Sequence, residues 1–452
     1  MTINNLPATL QSIIQEGYLQ REWEDVLRAL VGFRSIADKE IFPVGIGETI
    51  TKTRPGLVAP NLTPLAPAAN SDITGGITPN NYAVEQFTLT VNNYAFAQFE
   101  LNIVTSKVAI QEQFLLNAKQ LGYSAMLGLD QLAQQTLFNA YMGGNTRVTT
   151  TLSAAGTAIH VDDIRGFRTV FNSAGVPTAV SSTYPMNVTV GSDVYSLVGT
   201  VADGSNVSTA PGGISGTLTF ASDVTIADGT AGNSVISATG ASIVRPSENS
   251  DPAAGVSNTS LITTSLYNSG RLSLSNLIQG VATLRANAVP TDEDGYYVCF
   301  ADPFHFAGLY GDPAFQQFFR GRPDGMEYRR GLINDVMGLK VFETNVNPIQ
   351  PSLGQGPIHR SILCGQGALI ESDYTASGYA GVELGGEEDL IEIFDGVAHV
   401  VREPLDPLKQ VVTQTCAYLG GFVCGTDMTA NPTTIPTANN AFYKRAVIFE
   451  TL

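Results

Sequence analysis

The chain runs from Val104 to Tyr141 without a proline, and Val104, Val108, Leu115, Ala118, Ala125, Leu129, Leu132 and Leu137 recur near helical spacing. At about 1.5 Å of rise per residue this predicts a rod of about 57 Å. Gly122 and Gly128 each weaken it by about 1 kcal/mol relative to alanine, so each marks a bend or a place of close packing. Gly143 and Gly144 supply the stop. A rod this long reads as a structural spine rather than a platform for catalysis.

What precedes the rod has a different character. A first helix is expected from about Ser12 to Leu30, with Ile13, Ile14, Leu19, Trp23, Val26, Leu27 and Leu30 near helical spacing. Trp23, the only tryptophan, packs either in a core or against another subunit. From Gly47 to Phe99 the sequence turns extended. ETITKTRPG is a polar strand, a stretch rich in Pro, Ala, Asn and Gly follows, and YAVEQFTLTVNNYAFAQFELN returns as strand, with Val84, Phe87, Leu89 and Val91 alternating imperfectly. Two strands around so wide a loop reach about 60 Å if most of these residues are extended. Such an arm has little core of its own, so it either folds back on the body or lies on a neighbouring copy.

Beyond the rod, residues 146–260 are rich in Thr, Ser, Gly, Ala and Val, with Arg147, Arg165, Arg168 and Arg245 as the only arginines and no lysine. VDDIRGFRTVF reads as a short helix, and MNVTVG, DVYSLVGTVA, GTLTFA, DVTIA and SVISA read as short strands, which gives a small all-β module from about Pro177 to Leu261. Its Asp193, Asp203, Asp223 and Asp228 lack the dense one-loop pattern of a calcium site and read as turn or surface residues.

The remaining body mixes element types. LSLSNLIQGVATLRANAV is a helix capped by Ser273 or Ser275 and left at Pro290. A buried strand at Tyr296 to Phe300, a short helix around Phe304 to Leu309, a helix in PAFQQFFR and a strand at Leu339 to Glu343 follow. RSILCGQGALI gives a strand and a helix start, IEIFDG and AHVVRE are extended, VVTQTCAYLGGFVCG mixes apolar residues with helix-breaking glycines, and AFYKRAVIFETL ends in a strand. Elements this irregular argue for an α+β body rather than regular doubly wound units.

Composition narrows the function classes. In 452 residues, 24 Lys and Arg face 41 Asp and Glu, a formal net charge of −17, and a field of that sign disfavours gripping nucleic acid or an anionic membrane as the main task. Neither a basic and apolar leader nor a long apolar run appears, so a soluble chain is expected. Cys299, Cys364, Cys416 and Cys424 are too scattered for a disulfide framework or a zinc site and read as buried small hydrophobes. His160, His305, His359 and His399 are widely separated, and the sequence contains no P-loop, dinucleotide fingerprint or nucleophile elbow. Asp292, Glu293 and Asp294, like Glu387, Glu388 and Asp389, fall in loops where carboxylates face solvent or meet an arginine across an interface. Arg320, Arg322, Arg329 and Arg330 form the one basic cluster, diluted by Asp324 and Glu327, and suit bidentate pairing with carboxylates of another subunit. No catalytic residue, metal ligand or cofactor is assigned.

In the order of arm, extended loop, spine helix, β insertion, mixed body and terminal strands, the chain resembles the major capsid protein of tailed bacteriophages. That shell-forming fold was first described in phage Hong Kong 97, and the nearest-looking group within it includes coat proteins of short-tailed phages. The resemblance is carried by Gly47 to Glu100 as the extended loop, Leu101 to Tyr141 as the spine helix, and Leu272 to Pro290 with Tyr296 to Phe300 as the way into the axial domain. GLINDVMGLKVFETN at Gly331 to Asn345 and the tail segments DPLKQVVTQTCAYLGGFVCG and AFYKRAVIFET add to it.

The resemblance implies an α+β, Hong Kong 97-like capsid fold. Its parts are an N-terminal arm at 1–46, an extended loop at 47–100, a peripheral domain with the spine helix at 101–145 and a linker with an inserted all-β domain at 146–262. A peripheral-to-axial connection and axial domain at 263–400 and a return to the peripheral domain at 401–452 complete it. It further implies a non-enzymatic structural protein that self-assembles through hexamers and pentamers into an icosahedral shell. That shell encloses double-stranded phage DNA without reading its sequence, is assembled in the host bacterial cytoplasm and becomes part of the virion. The implied partners are other copies of the chain, a portal protein, a decoration protein and a separate scaffolding protein, since too few residues precede the extended loop for a fused scaffolding segment. Trp23, Lys52, Arg54, Arg320, Arg322, Arg329 and Arg330 are the candidate contacts between subunits. Lys52 and Lys107 alone give no ground for a covalent crosslink. The alternative is a virion-surface or extracellular adhesion protein in which the β module binds and the body anchors it.

Overall fold

A 3-10 turn at Phe33–Ile36 leads into β1 (Ala37–Ile41), followed by β2 (Thr49–Pro55), β3 (Val84–Thr90) and β4 (Asn92–Asn102). The computed structural model describes residues 10, 21, 32–41, 47–55, 84–104, 110–171, 177–203, 215–237, 240–244, 271–320, 337–349, 358–379, 391–402, 407–408, 410–425 and 443–451. Of the helix expected at Ser12 to Leu30, only Arg21 lies among them. β2 and β3 pair antiparallel from Thr49 opposite Thr90 to Pro55 opposite Val84 and form a two-stranded ribbon that no third strand joins among the described residues.

Helix α1 (Ile110–Tyr141) is the rod, and Phe114, Ala118, Leu121, Ala125, Leu129, Ala133 and Leu137 are buried at steps of three and four. It starts later than its apolar pattern suggests. Sheet pairing continues through Asn102, the Ile103 N–H donates to the Gln410 carbonyl at 2.8 Å, and Val104 sits exposed in the turn that follows. Val108 lies outside the described residues. Gly144, at φ +71°, breaks the helix where the sequence places the stop. Gly128 marks close packing, because a Cβ there would fall 2.4 Å from the Phe96 ring.

After α1 come β5 (Asn145–Arg147), β6 (Gly156–Val161), β7 (Thr169–Phe171), β8 (Pro177–Ala179), β9 (Met186–Val190), β10 (Asp193–Ala202), β11 (Gly216–Val224) and β12 (Ser234–Ser237). Six of them form one antiparallel sheet in the order β5-β12-β9-β10-β11-β6. The sheet closes on itself, because Val148, just past β5, bridges Val161 at the end of β6, and the Thr149 N–H donates to the His160 carbonyl at 2.9 Å. Ile159, Val161, Val188, Val190, Leu197, Leu218, Phe220 and Val235 fill the interior of this barrel.

The helix expected in VDDIRGFRTVF is absent, and that stretch is the end of β6, a turn and β7. Asp163 accepts the Arg165 backbone N–H at 2.9 Å and Gly166 has φ +79°, a local arrangement that competes with helix formation. The strand system therefore begins at Asn145, well before Pro177, and ends at Ser237. Its two ends lie side by side, with the Ser237 N–H donating to the Gly144 carbonyl at 2.9 Å.

The rest of the chain builds two sheets from β13 (Ser242–Val244), α2 (Leu274–Ala286), β14 (Tyr297–Ala301), α3 (Pro303–Gly311), α4 (Pro313–Arg320), β15 (Leu339–Glu343), β16 (His359–Cys364), β17 (Leu369–Asp373), α5 (Thr375–Tyr379), β18 (Ile391–Phe394), β19 (Val397–Arg402), β20 (Val411–Val423) and β21 (Ala446–Thr451). Ser273 caps α2 through a capping box with Asn276. One sheet has the order β13-β21-β16-β14-β15 and is buried on both faces. Tyr297, Cys299, Ala301, Leu363 and Phe449 face α2, α3 and α4, while Val298, Phe300, Ile362 and Ile448 face the C-terminal turns of α1. The other sheet has the order β1-β17-β20-β19-β18, with β4 on the opposite edge of β20. The earlier turns of α1 lie on it through Leu121, Ala125, Leu129, Cys416 and Tyr418.

GQGALI is not a helix start. Gly367 turns at φ +72° and β17 runs on from it, paired with β1 on one side and β20 on the other. The described residues of 401–452 divide between the two sheets, β20 in one and β21 in the other. Among the described residues no helix is long and apolar enough to cross a membrane.

Candidate functional site

The ribbon is held at its root. Phe87 and Leu89 of β3 are buried against Val423 of β20, with Ile50, Val91, Ile370 and Tyr374 partly buried around them. Gly421 lets the end of β3 rest on β20, since a Cβ there would fall 2.1 Å from the Thr90 carbonyl oxygen. Lys52 of β2 forms an ion pair with Glu40 of β1, and burial lowers its pKa. Arg54 stands two residues along the same strand, at the register position opposite Glu85. The structure thus gathers two of the sequence-derived candidates on one strand. Arg320 is the last residue of α4, and Trp23, Arg322, Arg329 and Arg330 lie outside the described residues.

A surface the sequence reading missed lies on the outward side of α1. Leu116, Tyr123 and Leu127 are 55%, 49% and 42% exposed and form a stripe flanked by the exposed Gln120, Gln131 and Gln135, with the exposed Glu112 one turn before Leu116. The signal was a second apolar period, offset from the one that packs inward.

Buried polar groups tie the parts together. Arg34 donates to Glu371 at 2.7 Å and to Asp395 at 2.7 Å, and the Tyr418 hydroxyl donates to the same Glu371 at 3.1 Å. Arg147 of the barrel lies 3.4 Å from Asp162 and 3.7 Å from Glu450 of β21, which also accepts from Arg360 at 2.9 Å.

The histidines, far apart in sequence, are not all far apart in space. His305 and His359 have ring centroids 6.3 Å apart because α3 packs on β16. His305 Nδ1 meets the Ser361 hydroxyl, the Ser361 oxygen accepts the Asp302 N–H at 3.1 Å, and His359 lies 2.8 Å from the Asp302 carboxylate. These residue types resemble a nucleophilic set, yet all four are buried, at most 4% exposed. Burial pushes His305 down to about 3, which leaves it a neutral and weak base. The cluster therefore joins α3 to β16.

All four cysteines are buried and free, and burial pushes the Cys299 thiol up to about 12, away from its reactive thiolate form. Asp292, Glu293 and Asp294 are exposed, with Lys340 paired to Asp294. Glu387, Glu388 and Asp389 lie outside the described residues. Among the described residues no group of three or more His, Cys, Asp or Glu is placed to hold a metal ion.

No protein-family model and no curated protein matches the chain. Among solved structures it is similar to the capsid of the cyanophage P-SCSP1u, at 9% identity over 92% of this chain and 86% of that one, with a TM-score of 0.44. It is similar to the capsid asymmetric unit of cyanophage Pam1 at 12% identity over 90% and 85%, with a TM-score of 0.45. For the capsid of Ralstonia phage GP4 the values are 10% identity, 92% and 87% coverage, and a TM-score of 0.43.

Proposed function

We propose that the chain is a major capsid protein of a tailed bacteriophage, a shell subunit of the Hong Kong 97 type. In this reading hexamers and pentamers of the chain close into an icosahedral wall around double-stranded DNA, assembled in the bacterial cytoplasm with a separate scaffolding protein, a portal protein and a decoration protein. The observation that carries the reading is the β2–β3 ribbon. It is a two-stranded unit that buries apolar side chains against β20 and leads through β4 into a spine helix with an apolar outward stripe. A two-stranded ribbon has too little of its own to stand alone in water, and neighbouring copies supply what it lacks. Many moderate contacts of this kind add up once a lattice closes. Lys52 and Arg54 on the ribbon, with Trp23, Arg320, Arg322, Arg329 and Arg330, are the residues we assign to contacts between copies. The net charge of −17 suits a wall that confines DNA without gripping it.

Co-expression of the full chain with a candidate scaffolding protein, followed by negative-stain microscopy, tests the proposal. Closed shells of uniform diameter are expected. A chain that stays monomeric at high concentration beside its native partners, while another protein forms the shell, overturns it.

The adhesion reading draws on the closed barrel and its exposed Val194, Val201 and Ile226. Glycan or cell binding by the isolated barrel would favour it.

A further inference from the structure

A cavity of about 310 Å³ opens between the Phe33–Ile36 turn, β1, α1 and the turn joining β18 to β19. One wall is apolar, from Met126, Leu129 and Ala37, and the other is charged. The two cations there already have partners. Arg34 lies 2.7 Å from Glu371 and 2.7 Å from Asp395, and Lys39 lies 2.6 Å from Asp395. Two positive groups thus meet two carboxylates, and Asp130 of α1 is left over.

Asp130 is 4% exposed. Its carboxylate meets the backbone N–H groups of Phe33 and Arg34, Oδ1 accepting from Arg34 at 3.4 Å, while its Oδ2 takes no hydrogen bond among the described residues. Gly32 sits so close that a Cβ would fall 2.1 Å from Oδ1, so the backbone there is cut to fit the carboxylate. A buried carboxylate oxygen without a donor is costly, and a proton or a cationic donor relieves the cost.

We propose that this cavity binds an alkylammonium or alkylguanidinium group, with its stem along Met126 and Leu129 and its N–H donors at Asp130. An apolar wall ending in a carboxylate complements a side chain or small amine that is apolar along its length and charged at its tip. An anion finds no such match, because both cations are neutralised where they stand. Burial raises the pKa of Asp130, so a proton competes with the ligand and binding weakens as pH falls through that raised value. The charged groups around it are Arg34 on the turn, Lys39 on β1, Asp395 between β18 and β19, and Glu371 on β17. The ligand chemistry has two sources, a lysine or arginine of a second copy or a free aliphatic amine.

Calorimetric titration of the full chain with n-butylguanidinium and with 1,4-diaminobutane tests the site, with pentanoate as the anionic control. We expect one saturable site for each cation. It should weaken by about tenfold or more in Asp130→Asn, and it should weaken as the pH is lowered and Asp130 takes up a proton. Met126→Trp, which fills the apolar wall and leaves the carboxylate, should weaken it as well, so the site can still be read if one variant fails to fold. Absence of saturable binding, equal binding by Asp130→Asn, or equal binding of pentanoate overturns the proposal. Light scattering then separates the sources. If butylguanidinium slows self-association and assembled particles no longer bind it, a second copy supplies the group. Equal binding before and after assembly assigns a free amine. The titration reads the site whether or not the chain builds shells.

Discussion

The barrel and the ribbon are both made of antiparallel strands, yet one is complete and the other is not. In the barrel, Val148 meets Val161 and the sheet has no open edge on that side, while Leu218, Leu197 and Val188 fill an interior supplied by the same stretch of chain. In the ribbon, Phe87 and Leu89 lean on β20, and the buried contacts belong to the body as much as to the ribbon. A closed sheet satisfies its own hydrogen bonds, whereas a two-stranded one presents two edges and two faces to whatever is nearby. Self-sufficiency suits a module inserted into a body, and insufficiency suits a part that is finished by another molecule.

The hardest test of the contrast is excision. The ends of the barrel are hydrogen-bonded neighbours at Gly144 and Ser237, so removing 145–237 and joining the flanks with a short glycine linker should leave a soluble body with a cooperative thermal transition. Removing 177–261 instead leaves β5 and β6 without the strands they pair with, exposes Ile159 and Val161, and takes β13 from the body sheet. That variant should aggregate. Equal behaviour of the two deletions, measured by soluble yield and circular dichroism, would show that the barrel is not a separable unit.

A smaller change tests how the barrel is mounted. Arg147→Met removes the guanidinium between Asp162 and Glu450, and losing one partner of a buried ion pair costs about 3–5 kcal/mol. Because the barrel has its own core, the loss should appear as two thermal transitions in place of one, the barrel remaining folded while its attachment loosens. A single transition shifted downward would mean that barrel and body melt as one.

Much of this architecture was legible because the residues that decide it are neighbours in sequence. The inward stripe of α1, the stop at Gly143 and Gly144, the cap at Ser273 and the strand at Leu339–Glu343 follow from local periodicity and turn chemistry. What escaped was decided at a distance. DDIRGF carries a helix-compatible pattern, but β6 is claimed by β11 across more than 50 positions of chain. Gly420 and Gly421 look like helix breakers or loop residues. They belong to β20 because a Cβ at either would strike Ser372 or Thr90, where other strands cross closely. The site residues were less legible. Asp130 and the Arg34 to Asp395 contact unite positions from three parts of the chain, and nothing in a one-dimensional pattern marks one oxygen of a carboxylate as left without a donor.

Paired core truncations sharpen the comparison further. Leu218 and Leu89 are both fully buried, and Leu→Ala at such sites costs about 2–5 kcal/mol. In the barrel, Leu218→Ala should confine that cost to the barrel, so that it melts ahead of the body as a separate, lower transition. In the ribbon, Leu89→Ala should cost the main transition little and instead release the backbone amides of β2 and β3 to hydrogen exchange, since a poorly supported element opens by itself. A full-sized drop in the main melt for Leu89→Ala would show that the ribbon is part of the body's cooperative unit and would remove its claim to be unfinished.

The smallest expected effect on stability falls at Lys52, and there the interest lies in which property changes. Glu40 is half-exposed, so the Lys52–Glu40 pair is worth about 0–1 kcal/mol and Lys52→Gln should barely move the melt. If the pair acts only within the chain, Lys52→Gln and Glu40→Gln have the same small consequence. If Lys52 exchanges Glu40 for a carboxylate of a neighbouring copy, Lys52→Gln lowers the yield of shells while Glu40→Gln, which frees the lysine for its second partner, does not. Particle yield for the two variants at matched expression separates these cases, because loss of a contact between copies is multiplied around a closed lattice whereas loss of one within a copy is not. Equal yields would return Lys52 to the body and leave the ribbon's contacts to be sought at Arg54 and beyond.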